Sequence, residues 1–138
     1  MFKHILLATD GSEHSLRAGE KAIALASCHE RSKMDIVYVV DGKQSKDDIL
    51  QNWGLDANDR RRQKLQMIEQ KAKHNGILYD IIFLHGEPGP TIVEYANTHD
   101  YDAVVIGSRG LNVFQEMVLG SVSHKVAKRA KCPVLIVK

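Results

Sequence analysis

Apolar positions along this chain fall into two rhythms. Five short runs, His4–Thr9, Asp35–Val40, Leu78–Leu84, Ala103–Ile106 and Val134–Val137, are aliphatic or β-branched almost without alternation. Strands buried on both faces of a parallel sheet read this way, because neither face needs polar residues. Between the runs the period changes. From Glu13 to Cys28, Leu16, Gly19, Ile23 and Ala26 share a face with Ala22 and Leu25 beside it. From about Asp59 to His74, Leu65, Ile68 and Ala72 form a narrower stripe. Ile92, Val93 and Ala96 mark a short third helix, and Val122, Val126, Ala127 and Ala130 a fourth.

Local stop signals support this alternation. Ser12 suits an N-cap, and Asn75-Gly76 a C-terminal stop. Pro90 suits a first helical turn, with a Thr91/Glu94 capping box as the alternative start one residue later. Pro133 closes the fourth helix before the last run. The resulting order, β-α-β-α-β-α-β-α-β, predicts a doubly wound, Rossmann-like α/β domain. Winding outward from the first strand gives a five-stranded parallel sheet of order 3-2-1-4-5. Ligands bind such sheets where the winding reverses, outside the carboxyl ends of the strands. One segment, 41–58, resists the pattern: it is polar, with Trp53 and Leu55 as isolated large apolar residues, and reads as a long flexible loop, a partial helix or a lid.

Size and charge narrow the class. A chain of 138 residues, 43% hydrophobic and 26% charged, matches one compact domain spanning 1–138. Nineteen Lys+Arg against 17 Asp+Glu leave a net charge of +2. No global field therefore draws the chain to nucleic acid or membrane. Arg60-Arg61-Arg62 lacks interleaved aromatics and lies within a charge-rich helix, which argues against a nucleic-acid site. Cys28 and Cys132 are too few and too far apart for a disulfide scaffold, which suits a reducing, cytoplasmic setting. No window approaches the length of a membrane span.

The chemistry concentrates at Gly107-Ser108-Arg109-Gly110, followed after nine residues by Gly120-Ser121-Val122-Ser123. This stretch begins where the fourth strand ends and finishes where the fourth helix starts. Glycine admits an anion to backbone N–H groups, and a helix start adds unpaired donors with about half a positive charge. Ser108, Ser121 and Ser123 add hydroxyls, and Arg109 a cation. One reading is a polyphosphate cradle; the other is two loop glycines and a serine cap with no ligand. Thr9-Asp10 closes the first strand at the same sheet edge. Asp10 suits a ribose hydroxyl pair, or equally the turn Asp10-Gly11-Ser12. Val39-Val40-Asp41 completes the rim.

These residues carry a family resemblance. Lys3-His4-Ile5-Leu6-Leu7-Ala8-Thr9-Asp10-Gly11-Ser12, Tyr38-Val39-Val40-Asp41 and Gly86-Glu87-Pro88 resemble the universal stress protein family, over essentially the whole chain. Gly107, Gly110, Gly120 and Ser121 meet in full the pattern G-x-x-G, nine residues, G-[S/T] that marks the family's ATP-binding class. The resemblance implies ATP, with Mg²⁺, as ligand. It implies that Asp10 holds the ribose while Ala8, Thr9 and Val39 surround the adenine. It implies further that Gly107, Gly110, Gly120, Ser121 and Val122 line the phosphates, with Ser108, Arg109 and Ser123 in reach. Ala8 stands where some members have proline, which changes apolar packing and removes no polar group. The family also implies a homodimer through the last strand, here Val134-Leu135-Ile136-Val137.

Other mechanisms lack their residues. The chain has no Gly-x-x-x-x-Gly-Lys-[Ser/Thr] and no Gly-x-Gly-x-x-Gly after the first strand. The third strand ends in Leu84-His85-Gly86, without the aspartate a phosphate-accepting receiver domain requires. The seven histidines form no close ligand pair with acidic support. No nucleophile–base pair stands out. The expectation is a nucleotide-dependent regulatory module of the stress-response kind. The alternatives are a slow ATPase or autokinase with Ser121 or a neighbouring hydroxyl as acceptor, and a nucleotide-free dimeric scaffold.

Overall fold

The protein is described by a computed structural model, which covers residues 2–41, 57–108 and 120–138. Five strands, β1 (His4–Thr9), β2 (Lys33–Val40), β3 (Leu78–His85), β4 (Ala103–Gly107) and β5 (Val134–Val137), form one sheet. Their order is β3-β2-β1-β4-β5, parallel throughout. This is the doubly wound arrangement expected from the alternating runs. Helices α1 (Glu13–Ala26), α2 (Ala57–Lys64), α3 (Gln66–His74), α4 (Pro88–Thr98) and α5 (Ser121–Arg129) flank it.

The unbroken apolar runs are explained by two cores, one on each face. Ile5 and Leu7 of β1, with Met34, Ile36, Tyr38 and Val40 of β2, pack beneath α1 and α3. Their neighbours Leu6, Ala8, Val37 and Val39 point the other way and join Ile92, Ala96 and Val126 of α4 and α5. Successive side chains alternate between faces, so a strand covered on both must be apolar at every position. Ile5, Leu6 and Leu7 are all fully buried.

Several boundaries differ from the sequence expectation. The second helix is interrupted at Leu65, where an i→i−3 bond to Arg62 O (3.0 Å) breaks the α pattern. Leu65 is fully buried, while Arg62 and Lys64 before it are exposed, so packing of Leu65 holds the chain at this junction. Helix α4 starts at Pro88, with Glu87 as N-cap and no side-chain cap bond; Pro90 lies in the first turn and the Thr91/Glu94 box does not form. Helix α5 ends at Arg129, short of Pro133, and β2 begins two residues before Asp35. The Asn75-Gly76 stop is a Schellman closure: Ile77 N–H reaches Ala72 O (2.9 Å), and Gly76 sits at φ +67°. Of segment 41–58, residues 42–56 lie outside the described residues.

Candidate functional site

Strands β1 and β4 are adjacent, with Ala8 opposite Ile106, so Thr9 and Gly107 end at the same edge of the sheet. The helix after β1 packs on one face, and the helices flanking β4 pack on the other. The chain therefore leaves β1 and β4 toward opposite faces, the point of a doubly wound sheet at which ligands generally bind.

On the β1 side, short side chains build a tight turn. Thr9 Oγ1 donates to Ser15 Oγ (2.7 Å) and accepts from Gly11 N–H (3.2 Å). Asp10 Oδ1 accepts from Ser12 N–H (2.9 Å), an Asx turn. Ser12 caps α1, its Oγ accepting from Ser15 N–H (3.2 Å), and Ser15 Oγ donates to Ser12 O (2.7 Å). Gly11 holds φ +76°, a left-handed backbone that L side chains rarely adopt. This lattice leaves the Asp10 carboxylate half-buried on the rim, with its main chain fixed.

On the β4 side, the two ends of a loop are tied together. Ser108 N–H donates to Val137 O (2.8 Å), extending the β4–β5 pairing by one bond. Ser108 O accepts from Gly120 N–H (2.8 Å) and from Ser123 Oγ (3.1 Å), which also lies 3.0 Å from Gly120 O. The first i→i−4 bond of α5 runs from His124 N–H to Gly120 O (3.0 Å). Helix geometry therefore gives the N–H groups of Ser121, Val122 and Ser123 no carbonyl within their own helix. With the helix dipole, these are the donors α5 can offer an anion.

The residues expected at the site thus take distinct positions. Asp10 and Ser121 stand at the rim, half-buried and exposed respectively. Ala8 and Val39 are buried in the core under α4, and Val122 packs partly against the same cluster. Thr9 is buried, its hydroxyl engaged with Ser15. Gly107 and Ser108 end β4, and Gly120 caps α5 with its own N–H taken by Ser108. Ser123 is 2% exposed, and its hydroxyl braces the loop ends. Arg109 and Gly110 lie outside the described residues. Sequence patterning does not single out Ser15, although its spacing three after the Ser12 cap is a visible signal.

The groups whose acidity the fold shifts lie away from this edge. At the opposite sheet edge, His4 and Lys3 N–H groups lower the Asp102 carboxyl, and Asp80 raises the Lys33 ammonium. Burial, then the Asp35 hydrogen bond, raises the Tyr101 phenol. Burial likewise raises the Cys132 thiol. Among the described residues, no group of three His, Cys, Asp or Glu side chains could hold a metal ion. No helix among them is long and apolar enough to cross a membrane.

Comparison with known proteins is consistent with this architecture. The universal stress protein family matches residues 1–138. Universal stress protein YxiE of Bacillus subtilis is 32% identical over 151 aligned positions, covering 100% of both chains. The solved structure of MJ0577, from Methanocaldococcus jannaschii, superposes with a TM-score of 0.85 at 28% identity, over 100% of this chain and 96% of that one. A universal stress protein solved in complex with cAMP superposes at 0.72, also 28% identical, over 99% and 96%.

Proposed function

This chain belongs to the universal stress protein family, and on that premise we propose that it is an adenine-nucleotide-binding regulatory module whose ligand is ATP with Mg²⁺. The observation that carries the proposal is the convergence at one sheet edge of the Asp10 turn and the N-terminus of α5, across the β1–β4 junction. A nucleoside held at Asp10 would extend its phosphates toward the N–H groups of Ser121, Val122 and Ser123. Gly107, Arg109 and Gly110 belong to the same proposed cradle, with Ser108 and Ser123 holding its ends. Ala8, Thr9 and Val39 form its floor on the adenine side.

Side chains and main-chain donors of this kind suit phosphate better than a bare cation. Mg²⁺ would accordingly arrive coordinated to phosphate oxygens and water, as it commonly does when few carboxylates are supplied. The cAMP complex of a relative supports an adenine ligand in this fold and makes cAMP the natural competitor. Binding regulates only through different affinities for two conformations. The same reading includes a homodimer through β5, an edge strand of the sheet, whose Leu135 is 43% exposed.

Calorimetric titration of the purified protein with Mg·ATP, AMP, cAMP and adenosine tests the reading. Saturable binding with Mg·ATP tightest is the expected result. Absence of heat and of thermal stabilisation with every adenine compound would refute it. Phosphate release from the same samples would expose turnover, the mark of the slow-ATPase alternative.

A further inference from the structure

Helix α2 carries a cluster of cations in its last turn, and the fold directs each differently. Arg62 Nη2 donates to Glu69 Oε1 (3.1 Å), an oxygen that also accepts from the Tyr79 hydroxyl (3.0 Å), so this guanidinium serves the α2–α3 junction. Arg61 is 6% exposed. Lys64 is exposed, and its stem lies along the β1–α1 turn. A Cβ placed on Gly11 would meet Lys64 Cβ at 3.0 Å, Cδ at 3.2 Å and Cγ at 3.6 Å. Three consecutive carbons of Lys64 thus cross the turn at its one residue without a side chain. That residue follows Asp10 directly.

We propose that Lys64 is a specificity residue of the nucleotide site, reading the negative charge of the ligand's phosphates; this rests on the nucleotide reading above. A lysine stem packs along available surface while its ammonium stays in water. Here Cβ, Cγ and Cδ are packed against Gly11, next to Asp10, and the proposed place of the ammonium is beyond them, at the rim of the β1–β4 junction. The interrupted helix explains how it gets there. With the α pattern broken at Leu65, α2 approaches the β1–α1 turn through Lys64 while α3 keeps Ile68 and Ala72 in the core. Gly11 is accordingly required twice, for its φ of +76° and for the space Lys64 occupies. An ammonium at this place attracts a triphosphate more than a monophosphate, and a nucleoside not at all.

The test measures ATP, AMP and adenosine affinity in the wild type, Lys64→Gln and Lys64→Arg, at low and high salt. Lys64→Gln should weaken ATP about fivefold, the scale of an exposed charge contact, with a smaller loss for AMP and none for adenosine. Lys64→Arg should restore most of the loss, and the salt dependence of ATP binding should be shallower in Lys64→Gln. Equal ATP affinity in wild type and Lys64→Gln would overturn the assignment while leaving nucleotide binding intact. So would parallel losses for ATP and adenosine, which would mark Lys64 as structural. A wild type that binds none of the three compounds would instead defeat the nucleotide reading itself, and this assignment with it.

Discussion

The two edges of the sheet are built from opposite materials. At the amino edge, charged and aromatic side chains interlock. Lys3 and His4 N–H groups both donate to Asp102 Oδ2 (2.9 Å each). His4 Nε2 lies 2.9 Å from Asp35 Oδ2 and its Nδ1 2.8 Å from Asp100 O. The Tyr101 hydroxyl donates to the same Asp35 oxygen (2.8 Å), and the Lys33 ammonium bridges Asp80 (2.7 Å) and Asp35 (3.5 Å). At the carboxyl edge, the fixed contacts described above are largely those of serine and threonine hydroxyls and main-chain groups. One edge joins the starts of β1, β2 and β3 to the loop before β4. The other holds two loop ends in place while α5 opens toward solvent. The difference teaches where each kind of residue acts: strong, directional charge pairs staple strand starts, and small groups frame the edge at which we propose the nucleotide binds.

That division is easiest to break at Asp35, which is 5% exposed and serves His4, Tyr101 and Lys33 together. Asp35→Ala should cost about 3 kcal/mol in urea denaturation, because it strands a buried hydroxyl beside a broken ion pair. Nucleotide affinity measured on the folded variant should stay within about twofold of wild type. A large loss of binding would show that the edges are coupled.

The reciprocal change is Gly120→Asp. Gly120 caps α5 at φ −61°, a backbone any residue adopts, and aspartate is a favoured N-cap. Thermal stability should hold or rise, while a carboxylate at the phosphate end weakens ATP at least tenfold, about 1.4 kcal/mol. Adenosine should be affected far less. Unchanged ATP affinity would remove phosphates from this helix end.

The smallest expected effect sharpens the amino edge by pH. Because the folded-state carboxyl of Asp102 is lowered, its stabilisation is present above the unfolded value, near about pH 3.9, and is lost as pH falls through the folded one. Asp102→Asn should therefore lose less stability than wild type between about pH 4 and 2, in denaturation curves taken along that range. The raised Lys33 ammonium has the opposite sign: its contribution holds below the unfolded value, near about 10.4, and fades as pH climbs through the folded one.

Patterns local in the chain are legible in the order of residues. His4–Thr9 and Val134–Val137 are strands at the boundaries their apolar runs predict, and Ser12 caps α1 as its position suggests. The sheet order follows from alternating elements and the handedness of parallel crossovers. The described residues among those expected at the site lie toward one edge for the same reason, since strand ends in a parallel sheet share a side. Their individual tasks are less legible. Ser123 reads as a phosphate donor from its place after Gly120, yet its hydroxyl is turned inward onto Ser108.

By itself, then, the amino-acid order determined which segments become strands and helices, how they wind, and which edge receives Gly11, Gly107 and Gly120. Periodicity and caps act over a few neighbouring positions, and β-α-β connections admit essentially one hand. Only the tertiary structure decided which polar groups face each other, Thr9 with Ser15, Ser108 with Val137 and Ser123, His4 with Asp35, and that the Lys64 stem lies across Gly11. Such pairings depend on where packing halts each backbone to within about an ångström, as the break at Leu65 illustrates. A hydrogen bond or a side chain laid across a turn is won or lost at that scale.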